Sequence, residues 1–232
     1  MAIGNSDLTS VQGRLERPAA SALLLRNPVV AVLRARHAEE YAPVIAALAD
    51  GGVRSIELTL STAGVFELLP GLIRNFGDEV EIGVGTITAT AEAEEALDAG
   101  ARFLVTPVTD ADIVRTAVQR GIPVFPGGLT PTELFSGWRA GATAVKVFPA
   151  STVGPGYVAQ LRGPFPEIQV IPSGGVAIED AAAWISAGAL AVSLGGPLLG
   201  DAFKGGDLGR LSTRAAQVSR LVAAALSARG DR

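Results

Sequence analysis

Short apolar runs rich in Val, Ile and Leu alternate along this chain with longer Ala-rich stretches whose apolar residues recur at helical spacing. The first kind predicts eight strands, at 29–34, 54–60, 81–86, 102–107, 123–126, 143–149, 169–173 and 190–195. The second predicts helices at 38–50, 63–75, 90–99, 110–119, 131–140, 157–161 and 178–187. Steps such as Ala140-Gly141-Ala142 and Ala187-Gly188-Ala189 fall where a helix must stop before the next strand, and Gly supplies the left-handed stop. Two further helices are expected outside this alternation, one over 8–25 that closes the bottom of the sheet and one over 208–228.

Strand and helix in strict alternation predict a parallel sheet, and eight repeats predict a single α/β domain of the (β/α)8 (TIM) barrel class with an extra N-terminal helix. Its expected boundaries are 1–27 for the N-terminal extension, 28–200 for the barrel core and 201–232 for the C-terminal helix. Composition supports this. Of the 232 residues 48% are hydrophobic and 18% charged, and parallel strands covered on both faces need that apolar excess. A net charge of −4 and a pI near 5.1, with no dense Lys/Arg stripe, argue against a nucleic-acid partner. The absence of cysteine removes disulfides, a thiolate nucleophile and cysteine metal sites together. The first twenty residues lack the apolar core of a signal peptide, and no run approaches the roughly 20 apolar residues of a membrane helix, so the expectation is a cytoplasmic protein without a membrane partner.

Only two of the nineteen basic residues are lysines. Lys204 lies in the polar turn Phe203-Lys204-Gly205-Gly206 and reads as a solvated surface residue. Lys146 lies in Ala144-Val145-Lys146-Val147-Phe148-Pro149, an apolar strand, where an unpaired ammonium costs several kcal/mol. Alternation sends Val145 and Val147 toward the helices and Lys146 into the interior, where barrel lyases build their nucleophiles. Glu57, in Ser55-Ile56-Glu57-Leu58-Thr59-Leu60, is again an isolated charge that alternation turns inward. Two readings stand side by side: a neutralised core ion pair, or a Schiff-base lysine with one carboxylate to move its protons.

Thr86 and Ser173 end other strands with inward hydroxyls that either hold an oxyanion or satisfy the strand ends. Arg34 closes the first strand and is suited to a bidentate grip on a carboxylate, or to a rim ion pair. Ser173-Gly174-Gly175 and Leu194-Gly195-Gly196-Pro197 follow strands seven and eight, where many barrels hold phosphate through backbone N–H groups. The single histidine, His37, sits among helix-opening polar residues, and no His/Asp/Glu set has metal spacing, so neither a metal nor a dinucleotide is expected.

The ordered motifs Ala31-Val32-Leu33-Arg34, Ile56-Glu57-Leu58-Thr59, Gly83-Val84-Gly85-Thr86, Val105-Thr106-Pro107, Phe125-Pro126-Gly127, Thr130-Pro131-Thr132-Glu133-Leu134, Val145-Lys146-Val147-Phe148-Pro149-Ala150 and Ser173-Gly174-Gly175-Val176 together resemble the 2-dehydro-3-deoxy-6-phosphogluconate (KDPG) and 4-hydroxy-2-oxoglutarate (KHG) aldolases, over 29–199. The resemblance implies a class I aldolase that cleaves a 2-oxo-3-deoxy sugar acid, usually 6-phosphorylated, to pyruvate and an aldehyde. By it Lys146 forms the Schiff base, Glu57 is the acid/base, and Arg34 and Thr86 bind the pyruvyl carboxylate. Pro107 and Phe148 line the apolar wall, and Ser173, Gly174, Gly175, Gly195 and Gly196 receive the phosphate end. No cofactor is implied beyond the covalent adduct on Lys146, the partner is the small-molecule acid, and the assembly is a homotrimer. Two positions depart from the family pattern. Ser61 stands where some members carry Arg, and Gly196-Pro197 stands where phosphate-binding members commonly have Ser. Relatives that cleave the galactonate epimer look similar around Gly154-Pro155 and Tyr157 and also lack the strand-two Arg. The alternatives are an aldolase for the 6-phosphogalactonate epimer or for a non-phosphorylated 2-oxo acid, a barrel in which Lys146 acts non-covalently, and a non-catalytic sugar-acid-binding or assembly barrel.

Overall fold

The computed structural model describes residues 16–230, and the chain forms an α/β fold around a curled, all-parallel sheet. The strands are β1 (Val29–Leu33), β2 (Ser55–Thr59), β3 (Glu81–Gly85), β4 (Leu104–Val105), β5 (Val124–Phe125), β6 (Gly127–Gly128), β7 (Val145–Val147), β8 (Val170–Pro172) and β9 (Val192–Leu194). The helices are α1 (Ala22–Arg26), α2 (Tyr41–Asp50), α3 (Val65–Phe76), α4 (Thr90–Asp98), α5 (Ala111–Gln119), α6 (Pro131–Arg139), α7 (Tyr157–Arg162), α8 (Ala181–Ser186), α9 (Gly196–Leu199) and α10 (Leu208–Gly230).

Six strands pair in the order β5-β4-β3-β2-β1-β9 and three in the order β6-β7-β8. Leu190 N–H donates to the Val170 carbonyl at 2.8 Å, and a parallel bridge joins Ser173 to Ser193, so β8 runs beside β9. The expected fifth strand, 123–126, is seen as β5, and a further short strand, β6, follows it. Pro126, which has no N–H for the ladder, separates β5 from β6, while its carbonyl still accepts from Lys146 N–H at 2.8 Å.

Apolar residues pack in two places. One large cluster fills the space between strands and helices, with Ile56, Leu58, Val145 and Val147 among its members. A smaller one lies within the curl, where Val30, Phe103, Val105, Phe125, Ala144, Ile171 and Ala191 meet. Leu24 from α1 belongs to that inner cluster and Ala20 packs on it, so the segment before β1 plugs the end of the curl opposite the cleft described below.

The helix expected over 8–25 is corrected in its described part. Positions 1–15 lie outside the described residues, and 16–20 are not helical; α1 starts only at Ala22. Pro18 disfavours helix for Arg17 and removes a donor, and Ser21 then caps α1 by accepting from Leu24 N–H at 3.0 Å. Elsewhere the helix starts follow their caps. Thr130 Oγ1 accepts from Glu133 N–H, Glu133 returns a bond to Thr130 N–H at 2.8 Å, and Pro131 opens α6. Gly141 and Gly188 stop α6 and α8 with φ of +110° and +104°. Among the described residues no helix is long and apolar enough to cross a membrane.

Candidate active site

A cleft of about 400 Å³ opens at the C-terminal ends of the strands. It collects every residue that the sequence assigned to a catalytic or substrate-binding role: Arg34 from the end of β1, Glu57 from β2, Thr86 after β3, Pro107 after β4, Lys146 from β7 with Phe148 after it, Ser173, Gly174 and Gly175 after β8, and Gly195 and Gly196 after β9. The reason is topological. All the strands run parallel, so their C-terminal ends, and the loops that follow, share one rim.

Lys146 is 8% exposed, with its Nζ 5.2 Å from the centre of the Phe148 ring. Its register partners are Gly127 on β6 and Ile171 on β8, so little bulk stands beside it on one side. Glu57 is paired with Val32 on β1 and Gly83 on β3. It is 1% exposed, and its Oε2 has no hydrogen-bond partner. Burial pushes the Glu57 carboxyl above the ordinary carboxylate range, against the pull of the Lys146 and Arg34 charges. The ion pairs among the described residues all lie at the surface and include neither Lys146 nor Glu57. The core ion pair weighed from the sequence is therefore not formed. A carboxyl that is buried, raised in pKa and unpartnered in one cleft with a lysine has the properties of a proton carrier.

Thr86 is the only non-glycine among the described residues with positive φ, at +63°. For a β-branched residue this conformation is strained, and it holds Thr86 on the cleft wall. Gly174 and Gly175 also have positive φ, +81° and +75°. Gly174 lies under Phe148 so closely that a β-carbon there would stand 2.8 Å from the ring. Ser151 N–H donates to the Gly174 carbonyl at 3.1 Å and Ala150 N–H to the Ser173 carbonyl at 2.7 Å, which ties this glycine loop to the segment after Lys146.

Four features escaped the sequence reading. Thr59 lines the cleft and donates to the Leu33 carbonyl at 3.1 Å; standing two positions after Glu57, it was findable by alternation. Ser193 lines it too, with its Oγ 3.4 Å from that of Ser173, and a lone hydroxyl in an apolar strand was the available signal. Gly85 is the third: a β-carbon there would overlap the Glu57 carboxylate, a relation invisible along the chain. Lys204 is the fourth: it is a solvated surface residue as expected. Although exposed, it lines the same cleft, because the turn that carries it folds back over the rim after α9. Among the described residues no three His, Cys, Asp or Glu side chains gather as a metal-binding set.

The family described as KDPG and KHG aldolase matches residues 21–213. This chain belongs to the KDPG and KHG aldolase family. It is an aldolase, a carbon–carbon lyase. The 2-dehydro-3-deoxy-6-phosphogalactonate aldolase of Escherichia coli (strain K12) is 34% identical over 172 residues, covering 74% of this chain and 84% of that one. A solved native KDPGal structure superimposes with a TM-score of 0.80 at 31% identity, covering 86% of this aldolase and 96% of that chain. A KDPG aldolase from Legionella pneumophila, solved with pyruvate captured at low pH as a covalent carbinolamine, superimposes with a TM-score of 0.72 at 26% identity, covering 88% and 96%.

Proposed function

We propose that this aldolase is of class I and reversibly cleaves a 2-dehydro-3-deoxy-6-phospho-sugar acid, the gluconate or the galactonate epimer, to pyruvate and glyceraldehyde 3-phosphate. The same site would accept 4-hydroxy-2-oxoglutarate, releasing glyoxylate. The observation that carries the reading is the meeting of one buried lysine and one buried, unpartnered carboxyl in a single cleft.

In this reading the uncharged amine of Lys146 attacks C2 of the 2-oxo acid to form a carbinolamine, and Glu57 supplies the proton that lets the hydroxyl leave as water. The iminium that results is the electron sink. Glu57, through a water molecule, takes the C4 hydroxyl proton; the C3–C4 bond breaks; the electron pair passes into the enamine and the aldehyde departs. The enamine is reprotonated at C3, and water hydrolyses the iminium to release pyruvate and free Lys146. Arg34 and Thr86 hold the substrate carboxylate, Pro107 and Phe148 form the apolar wall, and Ser173, Gly174, Gly175, Gly195 and Gly196 face the phosphate end. No metal or organic cofactor enters the cycle.

The proposal includes closure of the strands into one (β/α)8 barrel, supported by the contact of β8 with β9 and by the inner cluster drawn from both strand sets. It includes a single domain over 1–232 and, from the family resemblance, a homotrimer, which light scattering coupled to size-exclusion chromatography checks.

The deciding experiment is incubation with pyruvate and borohydride followed by peptide mass mapping. An adduct on Lys146, lost in Lys146→Met, is the expected result. A folded protein that forms no adduct would leave Lys146 as a non-covalent anchor, and sugar-acid binding without turnover would make the barrel a binding module.

A further inference from the structure

The cleft has a cation that the mechanism above does not use. Lys204 lines it together with Gly174, Gly175 and Gly196, and belongs to no ion pair among the described residues. It is one of only two lysines in the chain, the other being Lys146.

The turn that presents Lys204 is built. Lys204 N–H donates to the Asp201 carbonyl at 2.8 Å, and Gly206 N–H reaches the same carbonyl at 3.0 Å. Gly205 takes φ of +78°, and a β-carbon at Gly206 would overlap Asp201, so both positions are held to glycine. Next to the lysine, Phe203 meets Tyr41 of α2 edge-on with ring centres 5.9 Å apart, and the Tyr41 hydroxyl donates to the Leu33 carbonyl beside Arg34. Packing of Phe203 therefore holds Lys204 at the rim where β1 and β9 lie side by side, in the same cleft wall as Gly195 and Gly196. An adjoining depression shares Arg34, Phe203 and Lys204 with the cleft.

The charges of the cleft also need it. The substrate proposed above carries a carboxylate at one end and a phosphate at the other. Once Lys146 is committed to the covalent adduct, the cleft offers Arg34 and Lys204 as its remaining cations. Arg34 is occupied by the carboxylate in that reading. On the loop after β9, Pro197 has neither a side-chain donor nor an N–H, so this loop brings no charge of its own to a dianion.

We propose that Lys204 is a specificity residue of this aldolase, whose ammonium grips the phosphate end of the substrate and makes the enzyme prefer phosphorylated over unphosphorylated 2-oxo-3-deoxy acids. This rests on the aldolase reading of the same cleft. Charge-assisted hydrogen bonds to phosphate are worth enough for a change of about 10- to 100-fold.

The test compares wild type, Lys204→Met and Lys204→Arg in two measurements. In the first, inorganic phosphate is titrated calorimetrically into each protein without substrate. Binding weakened about 10-fold or more in Lys204→Met and kept in Lys204→Arg is expected. Equal phosphate binding in wild type and Lys204→Met overturns the proposal, whatever the enzyme cleaves. In the second, kcat and KM are measured for a 6-phosphorylated 2-oxo-3-deoxy acid and for its unphosphorylated counterpart. Lys204→Met should raise KM for the phosphorylated acid about 10-fold or more beyond any change for the unphosphorylated one, with the larger effect in KM than in kcat; equal losses on both substrates overturn it. If wild type cleaved neither acid, the substrate reading would fall, while the phosphate titration would still decide the role of Lys204.

Discussion

A β-carbon at Gly85 would fall on the Glu57 carboxylate, so an absent side chain on β3 makes the room that the carboxyl of β2 fills. Gly85 has an ordinary negative φ, unlike the glycines of the turns, and alanine there meets no backbone obstacle. Gly85→Ala is expected to displace the carboxyl and lower kcat by much of the about 10²- to 10⁴-fold that a positioned acid/base contributes. Steady-state kinetics on protein with native circular dichroism checks this. Unchanged kcat would mean that Gly85 does not set the place of Glu57.

The raised pKa of Glu57 makes a claim about stability with a definite sign. Burial disfavours its ionised form, so above the folded-state pKa the charge costs the native protein free energy. That cost fades as pH falls through the folded value and is gone below the usual carboxylate value of 4.5. Glu57→Gln should therefore have a higher Tm than wild type on the alkaline side, with the gain shrinking as the pH is lowered, while losing most of its activity. Glu81, also raised by burial, is present in both proteins and cancels in the difference. Thermal denaturation at a series of pH values tests this; a gain that grew on acidification would refute the assignment.

Arg34 lines the cleft at the end of β1, and the proposal puts it on the carboxylate that every 2-oxo acid substrate shares. Arg34→Met is expected to cost about 10- to 100-fold in kcat/KM for phosphorylated and unphosphorylated acids alike. A loss confined to phosphorylated substrates would move Arg34 to the other end of the cleft.

Thr86 carries φ of +63°, a conformation that costs a β-branched residue about 1–3 kcal/mol and costs glycine little. Thr86→Gly should be at least as stable as Thr86→Ala in denaturant unfolding, the reverse of the usual order, and both should bind pyruvate more weakly than wild type. If Thr86→Ala were clearly the more stable, the strain would not be carried at this residue.

Much of this protein was legible from local pattern. Alternation along β2 and β7 is enforced by the pleat itself, so Glu57 and Lys146 among apolar neighbours had to face the interior, and parallel strands had to bring their following loops to one rim. The caps of α5 and α6 and the stops at Gly141 and Gly188 were equally local, each decided within a few residues. The helix expected over 8–25 failed over 16–20 and held from Ala22, for a reason also local, since Pro18 outweighs the apolar spacing around it.

What only the tertiary structure decided are relations between residues distant along the chain. Gly85 matters because strand pairing sets β3 beside β2, and Lys204 matters because the packing of Phe203 on Tyr41 folds a polar turn back over the rim. The sequence alone determined the repeating strand–helix order, the inward lysine and the inward carboxylate, because backbone geometry repeats every two or 3.6 residues and carries that information locally. The space around the carboxylate and the second lysine of the cleft came from packing between segments far apart in sequence, which no local period encodes.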